Sequence, residues 1–275
     1  MVAIVADSAA NLPVEMAREL RIRVVPMYLK FGERVYRDGV DMTPSDFYER
    51  LAADEVAAST STPSPGDFLE AFDAAGDREI VCVTVTAGMS GSFQQASFAA
   101  ERFAGRVEVV DSKSASVAEG FVAVEAARRA LAGATIDEVS ARARDVAGRT
   151  TLVATVDSFE YLRRSGRVRK FQAYAATKLD IKPVFRFHGG DVAPVARPRT
   201  RGRAVGRVVE EALGAIDGRP AHVAVFHASA AAEAADVADR MGAGAPVVER
   251  FVVEATPVIG AHTGPGLLGI GFYTE

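Results

Sequence analysis

Residues 80–110 read IVCVTVTAGMSGSFQQASFAAERFAGRVEVV, and their pattern decides the fold class. Ile80 to Val85 is an unbroken apolar run of strand length, as expected of a strand buried on both faces. Phe93 to Phe103 reads as helix, and Val107 to Val110 returns to an apolar strand. Strand, helix and strand in so short a span form the βαβ unit of a parallel sheet. Between the first strand and the helix stands Gly88-Met89-Ser90-Gly91-Ser92. It matches the G-x-S-x-G nucleophile elbow of α/β-hydrolases at four of five positions, Ser92 replacing the last glycine. Ser90 is thus either a nucleophile or part of a loop that holds a ligand.

The same rhythm extends outward. Val2 to Ala6 reads as a strand ending at Asp7-Ser8, and Asn11-Leu12-Pro13 opens a helix with Asn11 as its cap. Val24 to Leu29 is a second strand. Thr43-Pro44-Ser45-Asp46 and Ser64-Pro65-Gly66-Asp67 each offer a hydroxyl cap, an early proline and an acid near the third helical position. Ala115 to Leu131 is a long alanine-rich helix, Thr135 to Glu138 a capping box, and Thr151 to Val156 a further strand. The second half differs. Ile181 to Phe187 and Val192 to Ala196 flank His188-Gly189-Gly190-Asp191 as a β-hairpin. Helices follow near Ala204 to Ala215 and Ala230 to Met241, with strands at Val223 to Phe226 and Val247 to Val253. The closing residues, ATPVIGAHTGPGLLGIGFY, read as two apolar strands around a glycine turn. The expected fold is α/β in two domains: residues 1–156 around a Rossmann-like parallel sheet, and residues 157–275 around a mixed or antiparallel sheet with flanking helices.

Composition narrows the function classes. Of 275 residues, 49% are hydrophobic and 25% charged, and the net charge of −4 argues against a dedicated nucleic-acid binder. The lone cysteine, Cys82, lies inside a strand and reads as a small buried hydrophobe. Neither HExxH nor a P-loop occurs, so no metal or nucleotide cofactor is expected on this chain. The first residues lack a basic segment and a long apolar run, and no stretch reaches the ~20 apolar residues of a membrane span, so a cytoplasmic location without membrane insertion is expected.

Three loops combine hydroxyls, glycine or histidine. Ser90-Gly91-Ser92 sits between a parallel strand and its helix, where backbone N–H groups and the helix N-terminus suit a carboxylate or phosphate. Ser59-Thr60-Ser61-Thr62 places four hydroxyls in a row before Pro63-Ser64, more than the cap at Ser64 needs. Gly260 to Gly266 holds His262 beside Thr263 in a glycine-rich turn, where an imidazole can donate to an anion. The hydrolase alternative would use Ser90 and His262 with Asp111 or Asp157, in the chain order Ser, Asp, His. Against it, Ser92 replaces the closing glycine, no HGGG motif precedes, and four residues separate the strand from Ser90. Arginines crowd into RRSGRVRK (residues 163–170) and RPRTRGR (residues 197–203), either as a solvated surface or as a rim for an acidic or phosphorylated partner.

In order along the chain stand VADSAANLP, STSTPSPGDF, GMSGSFQQA, VVDSKSAS, DSFEYLRRSGRV, KLDIKPVF, ARPRTRGRA and HTGPGLLG. This set resembles the DegV family, the FakB-like bacterial fatty-acid-binding proteins, over nearly the whole chain. The resemblance implies the same two-domain fold and a non-enzymatic lipid carrier. One long-chain fatty acid would lie buried, and a separate FakA-like fatty acid kinase would phosphorylate its carboxylate. Carried over by position, the head-group contacts fall on Thr60, Ser61, Ser90 and His262. Gly91 and Ser92 would supply the turn and its backbone donors, and Thr263 and Gly264 would complete the histidine loop. Arg167, Arg199 and Arg201 would face the partner or its phosphate. Thr62 stands where the family commonly has glutamine, Ser92-Phe93 where it has Thr-Tyr, and Ser165-Gly166-Arg167-Val168 where it has Gly-Gly-Arg-Ile.

Overall fold

The computed structural model describes residues 1–53, 58–166 and 181–275. Its strands, in chain order, are β1 (Ala3–Asp7), β2 (Ile22–Val25), β3 (Tyr28–Phe31), β4 (Arg34–Arg37), β5 (Ser59–Ser61), β6 (Ile80–Thr84), β7 (Val107–Asp111), β8 (Thr151–Thr155), β9 (Val184–His188), β10 (Asp191–Ala196), β11 (Ala221–His227), β12 (Val247–Glu254) and β13 (Leu268–Thr274). The helices are α1 (Val14–Glu19), α2 (Pro44–Ala53), α3 (Pro65–Asp73), α4 (Ser92–Ala100), α5 (Val117–Leu131), α6 (Ile136–Arg149), α7 (Glu160–Arg164), α8 (Arg201–Ile216), α9 (Ala231–Gly244) and α10 (Pro257–Thr263).

β1, β2, β6 and β7 form an all-parallel sheet in the order β2-β1-β6-β7. A second sheet runs β10-β9-β8-β13-β11-β12, antiparallel throughout except for the β11–β12 pair. α3 and α4 cover the outer face of the parallel sheet, with Phe68, Phe72 and Ala96 packed among Val5, Ile80 and Cys82. α8 and α9 cover the outer face of the mixed sheet, with Val205, Val208 and Val237 among Val153, Val223 and Ile270.

Between the sheets lies α5, buried nearly along its full length. Its alanines at 118, 123, 126, 127 and 130 keep it thin enough to touch both sheets. Phe121 fills the remaining space, edge-on to Tyr273 of β13 at 5.4 Å between ring centres. One continuous core therefore joins the halves, with Ile4 and Val81 at one side and Ala154, Phe185 and Phe226 at the other.

Four expectations are corrected. The strand at Thr151–Thr155 joins the mixed sheet, antiparallel to β9 and β13, so the sheets part between α6 and β8, ahead of the change expected at Val156. The expected strand from Val24 to Leu29 breaks at Pro26, which has no N–H for a ladder; its second part becomes β3, in an antiparallel sheet β4-β3-β5 that also absorbs the loop Ser59–Ser61. The first of the two closing strands is instead α10, started by Pro257 at its first turn. Asn11 does not cap α1; it closes the short 3-10 turn Ser8–Ala10, its N–H donating to the Ser8 carbonyl. It sits at φ 50°, its amide donates to Ser116 Oγ at 3.2 Å, and its carbonyl oxygen accepts the Thr256 N–H at 3.0 Å. The capping boxes at Ser64 and Thr135 form as their residues dictate.

Candidate functional site

A cavity of ≈ 870 Å³, counted out to its mouth, opens between the carboxyl ends of the parallel strands and the inner face of the mixed sheet. Its polar lining is Thr60, Ser61, Thr62, Ser90, Ser116, His262 and Thr263. Its apolar lining includes Ala9, Met27, Val85, Leu152, Ala154, Leu162, Phe185, Phe187, Phe226 and Leu267. Neither lysine nor arginine lines it among the described residues.

The polar end is assembled from chain segments far apart in sequence. β5 presents Thr60 because it pairs with β3, Leu29 opposite Thr60. α10 presents His262 on its last turn, and Thr60 Oγ1 and His262 Nε2 are hydrogen-bonded at 2.8 Å. After β6, the amides of Met89 and Ser90 both donate to the Thr86 carbonyl, closing a turn. Ser90 Oγ then accepts the Ser92 N–H at 3.3 Å and lies 3.2 Å from Ser92 Oγ. A Cβ built on Gly91 would stand 3.7 Å from Thr62 Cγ2, so the two hydroxyl segments abut.

The remaining expected residues take supporting places. Ser92 is fully buried beneath the turn, and Gly91 and Gly264 do not line the cavity. Thr263 Oγ1 donates to the Ile259 carbonyl at 2.8 Å. Gly264, at φ +74°, ends α10 and lies against the Tyr161 ring, where a side chain has no room. Arg167 lies outside the described residues. Arg199 is exposed. Arg201 pairs with Asp157 at 3.3 Å and Glu233 at 2.7 Å and donates to the Gly266 carbonyl, so it braces the histidine loop from behind.

The apolar end follows from sheet register. Leu152 stands opposite Phe187, and Ala154 opposite Phe185, so all four share one face. Gly269 continues the row between Ala154 and Phe226. Its missing side chain is what lets the Phe226 ring lie across the sheet: a Cβ there would meet the ring and come within 2.8 Å of Ala154 Cβ. The floor is thus flat and aromatic.

Sequence reasoning missed two features. Ser116 lines the cavity in an unusual left-handed conformation, φ 54° and ψ −146°, held by Asn11. Two carboxylates, Asp7 and Asp38, are buried behind the lining. Asp38 accepts the Ser8 hydroxyl at 2.6 Å and the Val258 N–H at 3.2 Å, tying β1 to α10. Burial pushes Asp38 up to about 7, against those hydrogen bonds. The sequence signal for Asp7 was its place at the carboxyl end of a parallel strand.

The two acids of the hydrolase alternative are committed elsewhere: Asp111 accepts the Lys113 N–H at 2.8 Å, and Asp157 pairs with Arg201. Ser90 is paired with Ser92, and His262 Nε2 with Thr60. Among the described residues, no cluster of three His, Cys, Asp or Glu could hold a metal, and no helix is long and apolar enough to cross a membrane.

Two α/β halves thus enclose a cavity whose lining joins hydroxyls and a histidine to a larger set of apolar side chains. The family model "DegV", described as "Uncharacterised protein, DegV family", matches residues 1–275, and the chain belongs to the DegV family. A DegV domain-containing protein of Streptomyces coelicolor is 36% identical over 273 residues, covering 98% of this chain and 97% of that one. A DegV family protein from Thermus thermophilus, described as binding fatty acid, superposes with a TM-score of 0.92 at 29% identity, over 100% of this chain and 99% of that one. DegV of Bacillus subtilis, described as a fatty acid binding protein, gives 0.89 at 28% identity, over 100% and 99%. A stearic-acid-binding protein from Eubacterium ventriosum gives 0.89 at 27% identity, over 100% and 98%.

Proposed function

We propose that this protein is a non-enzymatic carrier of one long-chain fatty acid, and that it presents the carboxylate to a separate FakA-like fatty acid kinase for acyl-phosphate formation. The observation that carries the reading is the split cavity lining: hydroxyls and His262 at one end, aliphatic and aromatic side chains over the rest. A tail gains about 0.8 kcal/mol for each CH₂ it buries. A carboxylate enters such a site only where donors replace its water. Thr60, Ser61, Ser90 and His262 are the donors in this account, orienting the head group without reacting. Arg199 and the segment around Arg167 would meet the kinase or offset phosphate charge. The fatty-acid-binding structures that this chain resembles support the ligand class.

Native mass spectrometry of the purified protein, followed by denaturing extraction, tests the proposal. One fatty acid per chain, lost in a Ser90→Ala/His262→Ala double variant, supports it. An unliganded protein that takes up no added fatty acid defeats it.

A further inference from the structure

The first turn of α5 reads Ser116-Val117-Ala118-Glu119, the S-x-x-E pattern of a capping box. No such box forms. Ser116 makes no side-chain cap and is held instead by Asn11. Glu119 is fully buried, and neither carboxyl oxygen has an N–H or O–H donor among the described residues. The side chain set against it is another buried carboxyl, that of Asp7. Asp7 is well served by donors: Oδ1 accepts the Ala9 N–H and Oδ2 the Val85 N–H, each at 3.0 Å, and the Ser92 hydroxyl stands beside it. Two touching carboxyls in a dry interior do not both ionise. The one with donors keeps the charge, and the one without keeps the proton.

We infer that Glu119 is a neutral carboxylic acid that donates its proton to Asp7, and that this pair positions the head-group end of the cavity. Asp7 ties together two segments whose residues Ala9 and Val85 line that cavity, and its Ser92 neighbour opens α4 beneath Ser90. Among the described residues, the titratable groups facing the pair are Cys82, Asp111 and, from the side of Asp7, Asp38; none of these is a cation. Losing the shared proton would therefore place a second uncompensated negative charge behind the hydroxyls that meet a carboxylate ligand. Burial, reinforced by Asp7, holds Glu119 well above the usual carboxylate range, in agreement with the geometry. The positioning role rests on the fatty-acid reading; the shared proton does not.

The test compares the wild type with Glu119→Gln and Glu119→Ala from pH 5 to 9. It uses thermal unfolding without ligand and titration with the fluorescent fatty acid cis-parinaric acid. Gln keeps a donor toward Asp7 and cannot ionise. Glu119→Gln is expected to melt with the wild type at pH 6 and above it at pH 9, and to hold its affinity across a range where the wild type weakens. Glu119→Ala is expected to melt lower at every pH and to bind about tenfold more weakly, since Asp7 loses its donor. Glu119→Gln melting as low as Glu119→Ala at pH 6 would show an ionised Glu119 and overturn the shared proton. A wild type that binds no probe at any pH would overturn the fatty-acid reading and the positioning role with it.

Discussion

Helix α5 carries two buried glutamates, Glu119 and Glu125, and the molecule treats them in opposite ways. Glu119 faces the cavity end and, among the described residues, has the carboxyl of Asp7 set against it. Glu125 faces the far end of the mixed sheet. There it accepts from Arg128 at 2.8 Å and from Arg142 at 3.1 Å, and Arg128 goes on to Glu249, which is bonded to His222 at 2.9 Å. Burial works to raise Glu125, but the Arg142 and Arg128 guanidiniums outweigh it and hold it low. The far end is an ion-pair lattice that fixes helix to sheet. Among the described residues the cavity end has no such cation, so its carboxyls stay protonatable, and its polar lining is hydroxyls and His262. Under the proposed function, the difference separates a part built for rigidity from a part that receives a charge from outside.

The largest effect should come from breaking the cavity floor. Gly269→Val puts a side chain into the Phe226 ring and Ala154; overpacking of this kind costs about 3 kcal/mol, and melting should fall by about 9 °C. Fatty-acid binding should vanish with it. Arg142→Ala leaves Glu125 with one guanidinium and makes the far end resemble the cavity end. We expect a loss of about 2 kcal/mol at pH 7, measured in urea, because the pair is only partly sheltered, and a smaller loss at pH 5 where Glu125 can take up a proton. Fatty-acid affinity should not change.

The two ends should also titrate in opposite senses. Burial raises Asp7 to about 6 and Asp38 to about 7, so both bind protons more readily folded than unfolded. Their contribution to stability is full below the ordinary aspartate value near 3.8 and declines as pH rises through about 6 and 7. Glu125 and Glu249 are lowered, so their contribution is present at neutral pH and lost as pH falls below the usual glutamate range. Melting curves of the unliganded protein should show a maximum on the acid side of neutrality. Arg142→Ala should flatten the acid limb alone. The smallest effect is at one hydroxyl: Thr60→Val should weaken fatty-acid affinity about fivefold, one hydrogen bond of about 1 kcal/mol, with melting unchanged.

Much of this was legible in the residues. The apolar strand Ile80–Thr84, the boxes at Ser64 and Thr135 and the Gly189-Gly190 hairpin turn are local signals, and each formed locally. Errors came where tertiary partners decide. Thr151–Thr155 reads the same in a parallel or an antiparallel sheet, because all five residues are buried in either case. Asn11 has the residue type of a cap, but its side chain bridges Ser116 and Thr256, far off in sequence. His262 stands out in the sequence for its flanking glycines, whereas its place is set by α10 and its hydrogen bond to Thr60. The buried partnership of Asp7 and Glu119 carries no sequence pattern, since S-x-x-E normally signals a cap.

Under the proposed function the carboxylate rests at the hydroxyl-and-histidine end while the tail lies on the aromatic floor. Carbon-13 NMR of a fatty acid labelled at its carboxyl carbon tests this most directly. One bound carboxyl signal is expected, shifting in Thr60→Val and in His262→Gln and staying fixed in Arg142→Ala. A bound signal indifferent to Thr60 and His262 would contradict it.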